Sequence, residues 1–286
     1  MSALGPALRF VLSLLAAALC APLFAQVPGK AYAQELVDRT VAGHPCLLAV
    51  TLHATPSGGG EPVMIASTIG RIGHPAGGRR VDVALPLLDT TGIVVGTLGL
   101  SWLSRHESDE AAVERDAVAI RDQLARSILN ARNLLERYPF VSGATTKTKA
   151  QRLVDEIVAR EPSDLRAVTL RGFSGGQLMI LGSTFGRHGK NADEDDMKVL
   201  HATEPQTGLH VDGRRFNVDI SLRDAAGKPM GTLTVGYAYR KGDDTQALVA
   251  RALALRKQIE ATAADGVLDA LDATLDAELP GVSPAP

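Results

Sequence analysis

Arginine is the side chain through which this sequence offers the sharpest chemistry. Arg71 and Arg187 each sit in a Gly-x-x-Gly frame, Gly70-Arg71-Ile72-Gly73 and Gly186-Arg187-His188-Gly189. A guanidinium presents a planar fork of donors that fits a carboxylate. At the end of a sheet strand that fork either faces a ligand pocket or pairs with an acidic neighbour while the glycines permit a turn, and spacing leaves both readings open. Arg171, Tyr237 and Tyr239 are further pocket candidates, with sheet core as the alternative for the two tyrosines. The run Asp193-Glu194-Asp195-Asp196 could gather a hard cation through carboxylate oxygens, but it lacks the alternating spacing and central glycine of a calcium loop. With Asn191 as cap it reads as the first turn of a helix, where the macrodipole favours negative charge. Asp195 stays in the binding set.

The elements that must position these residues are written twice. Ser67-Thr68-Ile69-Gly70-Arg71-Ile72-Gly73 recurs as Ser183-Thr184-Phe185-Gly186-Arg187-His188-Gly189, with five of the seven residues identical. Leu36-Val37-Asp38 matches Leu153-Val154-Asp155, and Ala49-Val50-Thr51-Leu52 matches Ala167-Val168-Thr169-Leu170. Farther on, Asp89, Gly92, Gly96, Thr97 and Leu98 match Asp224, Gly227, Gly231, Thr232 and Leu233, at a longer spacing. The second copy therefore holds a segment, 190–208, that the first lacks. Such self-similarity marks a repeated structural unit.

Each copy predicts the same order: a short helix (33–42; 149–160), a strand (46–53; 166–171), a glycine-rich turn and a second strand (63–69; 177–185). A hairpin of two long strands follows (81–87 with 94–102; 216–222 with 230–239), turning on Asp-x-x-Gly, in which the Asp side chain bonds turn amides and Gly tolerates positive φ. A helix then closes each copy. From 107 to 138 there is no Gly or Pro, and Val113, Ala117, Ile120, Leu124, Ile128 and Leu135 share a face; Leu248, Ala252, Leu255 and Ile259 do the same in the second copy. Gly172-Phe173-Ser174-Gly175-Gly176 matches the nucleophile elbow of hydrolases, but that elbow joins a strand to a helix. Here it joins two strands, and Pro56-Ser57-Gly58-Gly59-Gly60 stands in the same place in the first copy, so it reads as a hairpin turn. The seven histidines are scattered, and His44 with Cys46 is too small a set for zinc. No catalytic site, metal or cofactor is expected.

Composition narrows the function classes. With 45% hydrophobic residues in 286, disorder is excluded as the main state. Thirty basic residues against 32 acidic ones, a net charge of −2, and 4% aromatics with Trp102 alone leave neither a phosphate-neutralising footprint nor a stacking platform, so nucleic acid is not a partner. Residues 1–25 have the layout of a secretory signal: Arg9, then the apolar run 10–19, then Pro22 and Ala25. The run is shorter than the roughly 20 residues that a membrane span needs. Cleavage is expected after Ala25 or after Ala33, leaving Cys46 as the single cysteine, no intramolecular disulfide, and a periplasmic or secreted protein with no transmembrane segment.

The stretch with Ser183-Thr184-Phe185-Gly186-Arg187, Asn191-Ala192-Asp193-Glu194-Asp195-Asp196, Thr207-Gly208, Arg215-Phe216-Asn217-Val218 and Gly231-Thr232-Leu233 resembles the PAS-like extracellular sensor fold called PDC or Cache. The duplication resembles a double Cache ectodomain over about residues 33–262. The resemblance implies an α+β fold of two tandem PAS-like modules, each an antiparallel sheet with flanking helices. The expected organisation is 1–25 signal, 33–138 first module, 139–148 linker, 149–264 second module, and 265–286 helix remnant with a Pro-rich tail. Sensors of this family normally sit between two membrane helices and feed an output domain, and this chain carries neither feature. Because the first copy lacks the crossover segment, the second is the expected binding module, with Arg171, Arg187, Asp195, Tyr237 and Tyr239 as its ligand set. The expected function is non-catalytic binding of a small, anionic molecule by an exported sensor-type protein. The alternative is a periplasmic scaffold that uses its long helices to form a homodimer or to contact a membrane-bound signalling partner. Mass spectrometry of the exported protein should find a mature chain beginning at Gln26 or Gln34; an intact Met1 on a cytosolic chain would contradict this.

Overall fold

The computed structural model describes residues 30–54, 63–68, 79–104, 110–141, 148–161 and 164–263, with backbone alone for 79, 80, 103, 104 and 110. The signal segment, Arg71, the turn at 56–60, most of the 139–148 linker and the 265–286 tail lie outside the described residues. The chain is mixed α+β with antiparallel sheets.

In the first half, strands β2 (Leu47–Ala54), β3 (Val63–Ser67), β4 (Arg79–Leu88) and β5 (Val94–Ser104) form a sheet in the order β3-β2-β5-β4. In the second half, β7 (Leu165–Ser174), β8 (Gln177–Ser183), β9 (Gln206–Leu209), β10 (Arg215–Arg223) and β11 (Pro229–Ala238) form a sheet in the order β8-β7-β11-β10-β9. The shared part of the order is identical, as the duplicated sequence requires. The added strand β9 comes from the segment that the first copy lacks, and a short ribbon pairs β1 (Lys30–Ala31) with β6 (Arg137–Tyr138).

Two helices cover one face of each sheet. Helices α1 (Tyr32–Gly43) and α2 (Glu110–Ala125) pack on the first sheet; α4 (Lys149–Arg160) and α6 (Thr245–Ala263) pack on the second. Strand alternation dictates this choice. Phe216, Val218, Ile220 and Leu222 of β10 are buried against the α4 and α6 side, where Leu248, Ala252, Leu255 and Ile259 form the expected helical stripe, while Asn217, Asp219 and Ser221 face the other way. That polar face is roofed by α5 (Glu194–His201), which lies over β10 and β11. Its cap is Asp193 rather than Asn191. The Ala192 amide donates to Leu178 O and the Ile180 amide to Lys190 O, which keeps 190–192 extended, so the helix begins only beyond it. Asp193 and Asp196 then form a reciprocal capping box.

The helix expected over 107–138 is shorter than its apolar stripe. It stops at Ala125, and the one-turn α3 (Ala131–Leu134) restarts after Asn130, whose side chain caps it. Tertiary acceptors and donors outcompete the helix ladder here: the Tyr32 hydroxyl donates to Ser127 O at 3.0 Å, and the Thr90 amide donates to Ile128 O at 2.9 Å. Tyr32 is 1% exposed, so a chain beginning at Gln34 would lack a side chain of this core.

The two halves are joined through the 133–141 segment. Glu136 takes a two-point salt bridge from Arg187, Nε to Oε2 and Nη2 to Oε1, each 2.7 Å. Asn133, fully buried, donates to both Glu136 Oε2 and Phe185 O, and the Phe140 amide donates to His188 O. Gly186 and Gly189 have φ of +66° and +79°, and a Cβ on them would collide with the Tyr32 ring and the Val141 side chain respectively. The Gly-x-x-Gly frame is thus a docking surface for the first half. Gly186→Ala should cost about 3 kcal/mol through left-handed strain and overpacking; urea denaturation showing a loss below about 0.5 kcal/mol would contradict this packing.

Candidate functional site

The polar face of the second sheet gathers charge under α5. Register alignment places Asp219, Thr234 and Thr169 in one row across β10, β11 and β7, and Ser221, Thr232 and Arg171 in the next. Arg171 is the hub: its Nη2 lies 2.9 Å from Asp196 Oδ1 on α5, and its Nη1 donates to Thr234 Oγ1 at 3.2 Å. Thr234 passes the connection on, donating to Asp219 Oδ1 at 2.6 Å. The roof is fastened by Ser221 Oγ donating to Leu200 O at 2.7 Å and Arg223 Nη2 donating to Ala202 O at 2.9 Å.

Arg215 is the least satisfied charge in this layer. It is 5% exposed, its Nε donates to Asn217 Oδ1 at 3.1 Å, and its Nη1 is buried without a hydrogen-bond partner. Burial depresses its pKa, and the nearby charge of Arg187 acts in the same direction against Asp212, Asp89 and Asp219. The Thr232 hydroxyl and Arg171 Nε are also buried and unpaired. A buried polar atom left without a partner costs on the order of 1–3 kcal/mol, more when charged. All three lie on the polar face of the sheet, Thr232 and Arg171 in the row of Ser221 beneath α5 and Arg215 six residues away along β10.

The carboxylates of the layer are held protonated more readily than in water. Burial raises Asp219, and the neighbouring Asp196 adds to it, against Thr234, Arg171 and Arg215. Burial also raises Asp196 despite its ion pair with Arg171, because the desolvation penalty exceeds what one guanidinium returns. Glu136 goes the other way. Burial alone would raise it, but hydrogen bonds from Arg187 and Asn133 and the charges of Arg187 and Lys190 outweigh that and hold it below the usual glutamate range.

The five residues singled out from the sequence are spread over several places. Arg171 is within the layer. Arg187 stands at its edge with its fork occupied by Glu136. Asp195 points to solvent and pairs with Lys198 at 2.9 Å, so the carboxylate that reaches the layer is its neighbour Asp196, one position farther round the helix. Tyr237 lies on the opposite, apolar face, fully buried, with the Arg251 guanidinium 4.5 Å from its ring centre and burial pushing its hydroxyl up to about 12. Tyr239 stacks near Phe216 and lines a cleft between the two halves. Sequence reasoning passed over Arg215, Asp219, Thr232 and Thr234. The signal that marks them is the alternation Arg215-Asn217-Asp219-Ser221 against Phe216-Val218-Ile220-Leu222: a strand whose polar face carries two ionisable groups of opposite charge.

Among the described residues no group of three or more His, Cys, Asp or Glu could hold a metal ion, and no helix is long and apolar enough to cross a membrane. No protein-family model matches the chain, and no curated protein matches it. Among solved structures, the repressor BlcR of Agobacterium tumefaciens is 11% identical over 60% of this chain and 76% of its own, with a TM-score of 0.25. PelD of Pseudomonas aeruginosa PAO1 is 15% identical over 82% and 80%, with a TM-score of 0.23, and an RNA-binding light-oxygen-voltage receptor is 11% identical over 80% and 86%, with a TM-score of 0.18.

The raised carboxyls fix the sign of one pH effect. A group that holds its proton more tightly when folded stabilises the fold below its unfolded value, near 3.9 for aspartate, and that contribution is lost as pH rises through the folded value. Asp219→Asn should therefore lessen the loss of stability contributed by this layer as pH rises from about 3.9. Urea midpoints measured across that range in both proteins test it; parallel curves would show that Asp219 is not perturbed.

Proposed function

We propose that the protein is an exported, non-catalytic, sensor-type binding protein built of two PAS-like modules, and that its second module takes a small anion on the α5-covered face of the sheet. The reading is carried by Arg215, a guanidinium 5% exposed whose Nη1 has no partner, on the same face as the unpaired Thr232 hydroxyl and Arg171 Nε. An oxyanion there would accept charge-assisted hydrogen bonds from groups already stripped of water, so the desolvation cost is met within the fold rather than at binding. Asp219 and Asp196 restrict the site, since their charge disfavours a densely charged ligand and favours one that carries a donor as well as an acceptor.

Arg187 contributes from the edge. Its fork holds Glu136, a carboxylate supplied by the first half, so it shapes the junction beside the site while Arg215 supplies the free donor. The hydroxyls of Thr169 and Ser183, 3.3 Å apart and buried, extend the same polar surface toward the junction.

A thermal-shift screen of small carboxylates and phosphates against the full chain tests this, because a ligand of the native state raises its stability by RT ln(1 + [L]/Kd). For the anion that shifts the melting point, Arg215→Lys keeps the charge but loses the planar fork and should weaken binding about tenfold or more. An unchanged affinity in that variant would place the ligand elsewhere.

A further inference from the structure

A cleft of about 1010 Å³ opens between the two halves, away from the α5-covered face. Its floor is the first half's Asp-x-x-Gly turn, Asp89-Thr90-Thr91-Gly92, seated on the second half by Thr90 Oγ1 donating to Arg166 O at 3.0 Å. The end of α2 forms one wall through Asp122 and Arg126. The 238–244 turn, with Tyr239 and Arg240, forms the other, and Arg214 reaches in from the start of β10.

The charges lining this cleft are unequally engaged. Its five carboxylates all accept hydrogen bonds, from neighbouring backbone and hydroxyl groups or from arginines. Asp89 Oδ1 accepts from the Thr91 amide, the Thr91 hydroxyl and the Ile93 amide at 2.7–3.0 Å. Asp122 is held by Arg121 at 2.7 Å, and Asp164 takes both Arg251 Nη atoms, at 2.6 and 3.0 Å. Asp243 accepts from the Arg240 amide, and Asp244 accepts from the Gln246 and Ala247 amides. Three of the four lining guanidinium groups have far less to hold. Arg214 donates one long bond, 3.5 Å, to Thr91 O, and the Arg126 and Arg240 side chains show no hydrogen-bond or ion-pair partner among the described residues.

From this imbalance we infer that the cleft is a second binding site, for a small oxyanion bearing several charges, of the size of tripolyphosphate or citrate, held by Arg126 from the first half and Arg214 and Arg240 from the second. A single charge would leave two of the three guanidiniums unengaged; a multiply charged ligand can reach both walls at once, and in doing so it links the halves. The site differs from the sheet face in its donors, Arg126, Arg214 and Arg240 in place of Arg215 and Arg171, and Asp89 of its floor is near enough to Arg215 for their charges to interact.

Calorimetric titration of the full chain with sodium tripolyphosphate and, separately, sodium citrate, at about 0.15 M ionic strength, tests the inference. One anion per chain should bind, at least about tenfold more weakly in Arg126→Glu and in Arg240→Glu, as expected for loss of a charge-assisted contact, while the exposed Lys257→Glu on α6 binds as the parent does. Binding of tripolyphosphate alone assigns the cleft to phosphate chemistry, and binding of citrate alone assigns it to carboxylates. Absence of binding by both anions, or equal weakening in Lys257→Glu, overturns the inference. So does normal binding by the Arg126 and Arg240 variants with loss in Arg215→Lys, which would move the anion to the sheet face and leave the first proposal standing.

Discussion

The pairing of Glu136 with Arg187 is the interaction on which the arrangement of the halves depends. Each partner is more than half withdrawn from water, and a buried ion pair persists only where its geometry is good and its remaining valences are met. Here both conditions hold. The salt bridge is two-pointed, Asn133 donates to Glu136 while its other hydrogen reaches Phe185 O, and Lys190 lies 3.6 Å from the same carboxylate. Around the pair the backbone is as constrained as the charges. Two glycines at positive φ bring it flush against Tyr32 and Val141, and His188 between them is 1% exposed, with burial pushing its pKa down to about 4. The junction thus carries a neutral histidine and one compensated charge pair, the form in which ionisable groups are least costly to bury.

Duplication has been put to unequal use. In the first half the Asp-x-x-Gly turn is buried, with Asp89 and Thr90 5% and 7% exposed, and it seats that half on its neighbour. In the equivalent turn, at Asp224 and Gly227, the Ala226 and Lys228 amides likewise donate to Asp224 Oδ1, yet that turn is exposed. The same local chemistry therefore serves as a dock in one copy and a free loop in the other. The inserted segment adds α5 and β9 to the second sheet, and with them a roof over a face that would otherwise meet water. That roof converts ordinary strand polar residues into desolvated donors and acceptors with shifted pKa values.

Much of the fold could be read directly. The hairpin strands expected over 216–222 and 230–239, the Asp-x-x-Gly turns, and the stripe Leu248, Ala252, Leu255 and Ile259 rest on local signals whose consequences are local, and each element lies within a few residues of its expected bounds. The 107–138 helix was overextended because nothing in its own sequence announces that Tyr32 and Thr90, both distant in the chain, will capture the carbonyls of Ser127 and Ile128. Asp195 and Asp196 are neighbours in sequence but differ in fate, since one step along a helix turns a side chain by about 100°, here from solvent into the layer. Tyr237 was read as either core or pocket, and the register of β11 puts it on the apolar side with Leu233 and Val235.

The sequence by itself determined the duplication, the α+β class, the strand and turn chemistry, and which copy carries the extra covering segment, because all of these follow from residue type and spacing along the chain. Only the tertiary structure decided that Arg187 meets Glu136, that Arg215 is buried with an unpaired donor, and that Arg126 and Arg240 share a cleft. These are questions of partnership between residues far apart in the chain. Whether a charge is satisfied depends on which distant group the packing brings to it and how much water the packing removes, and neither quantity is written in the residue or its neighbours.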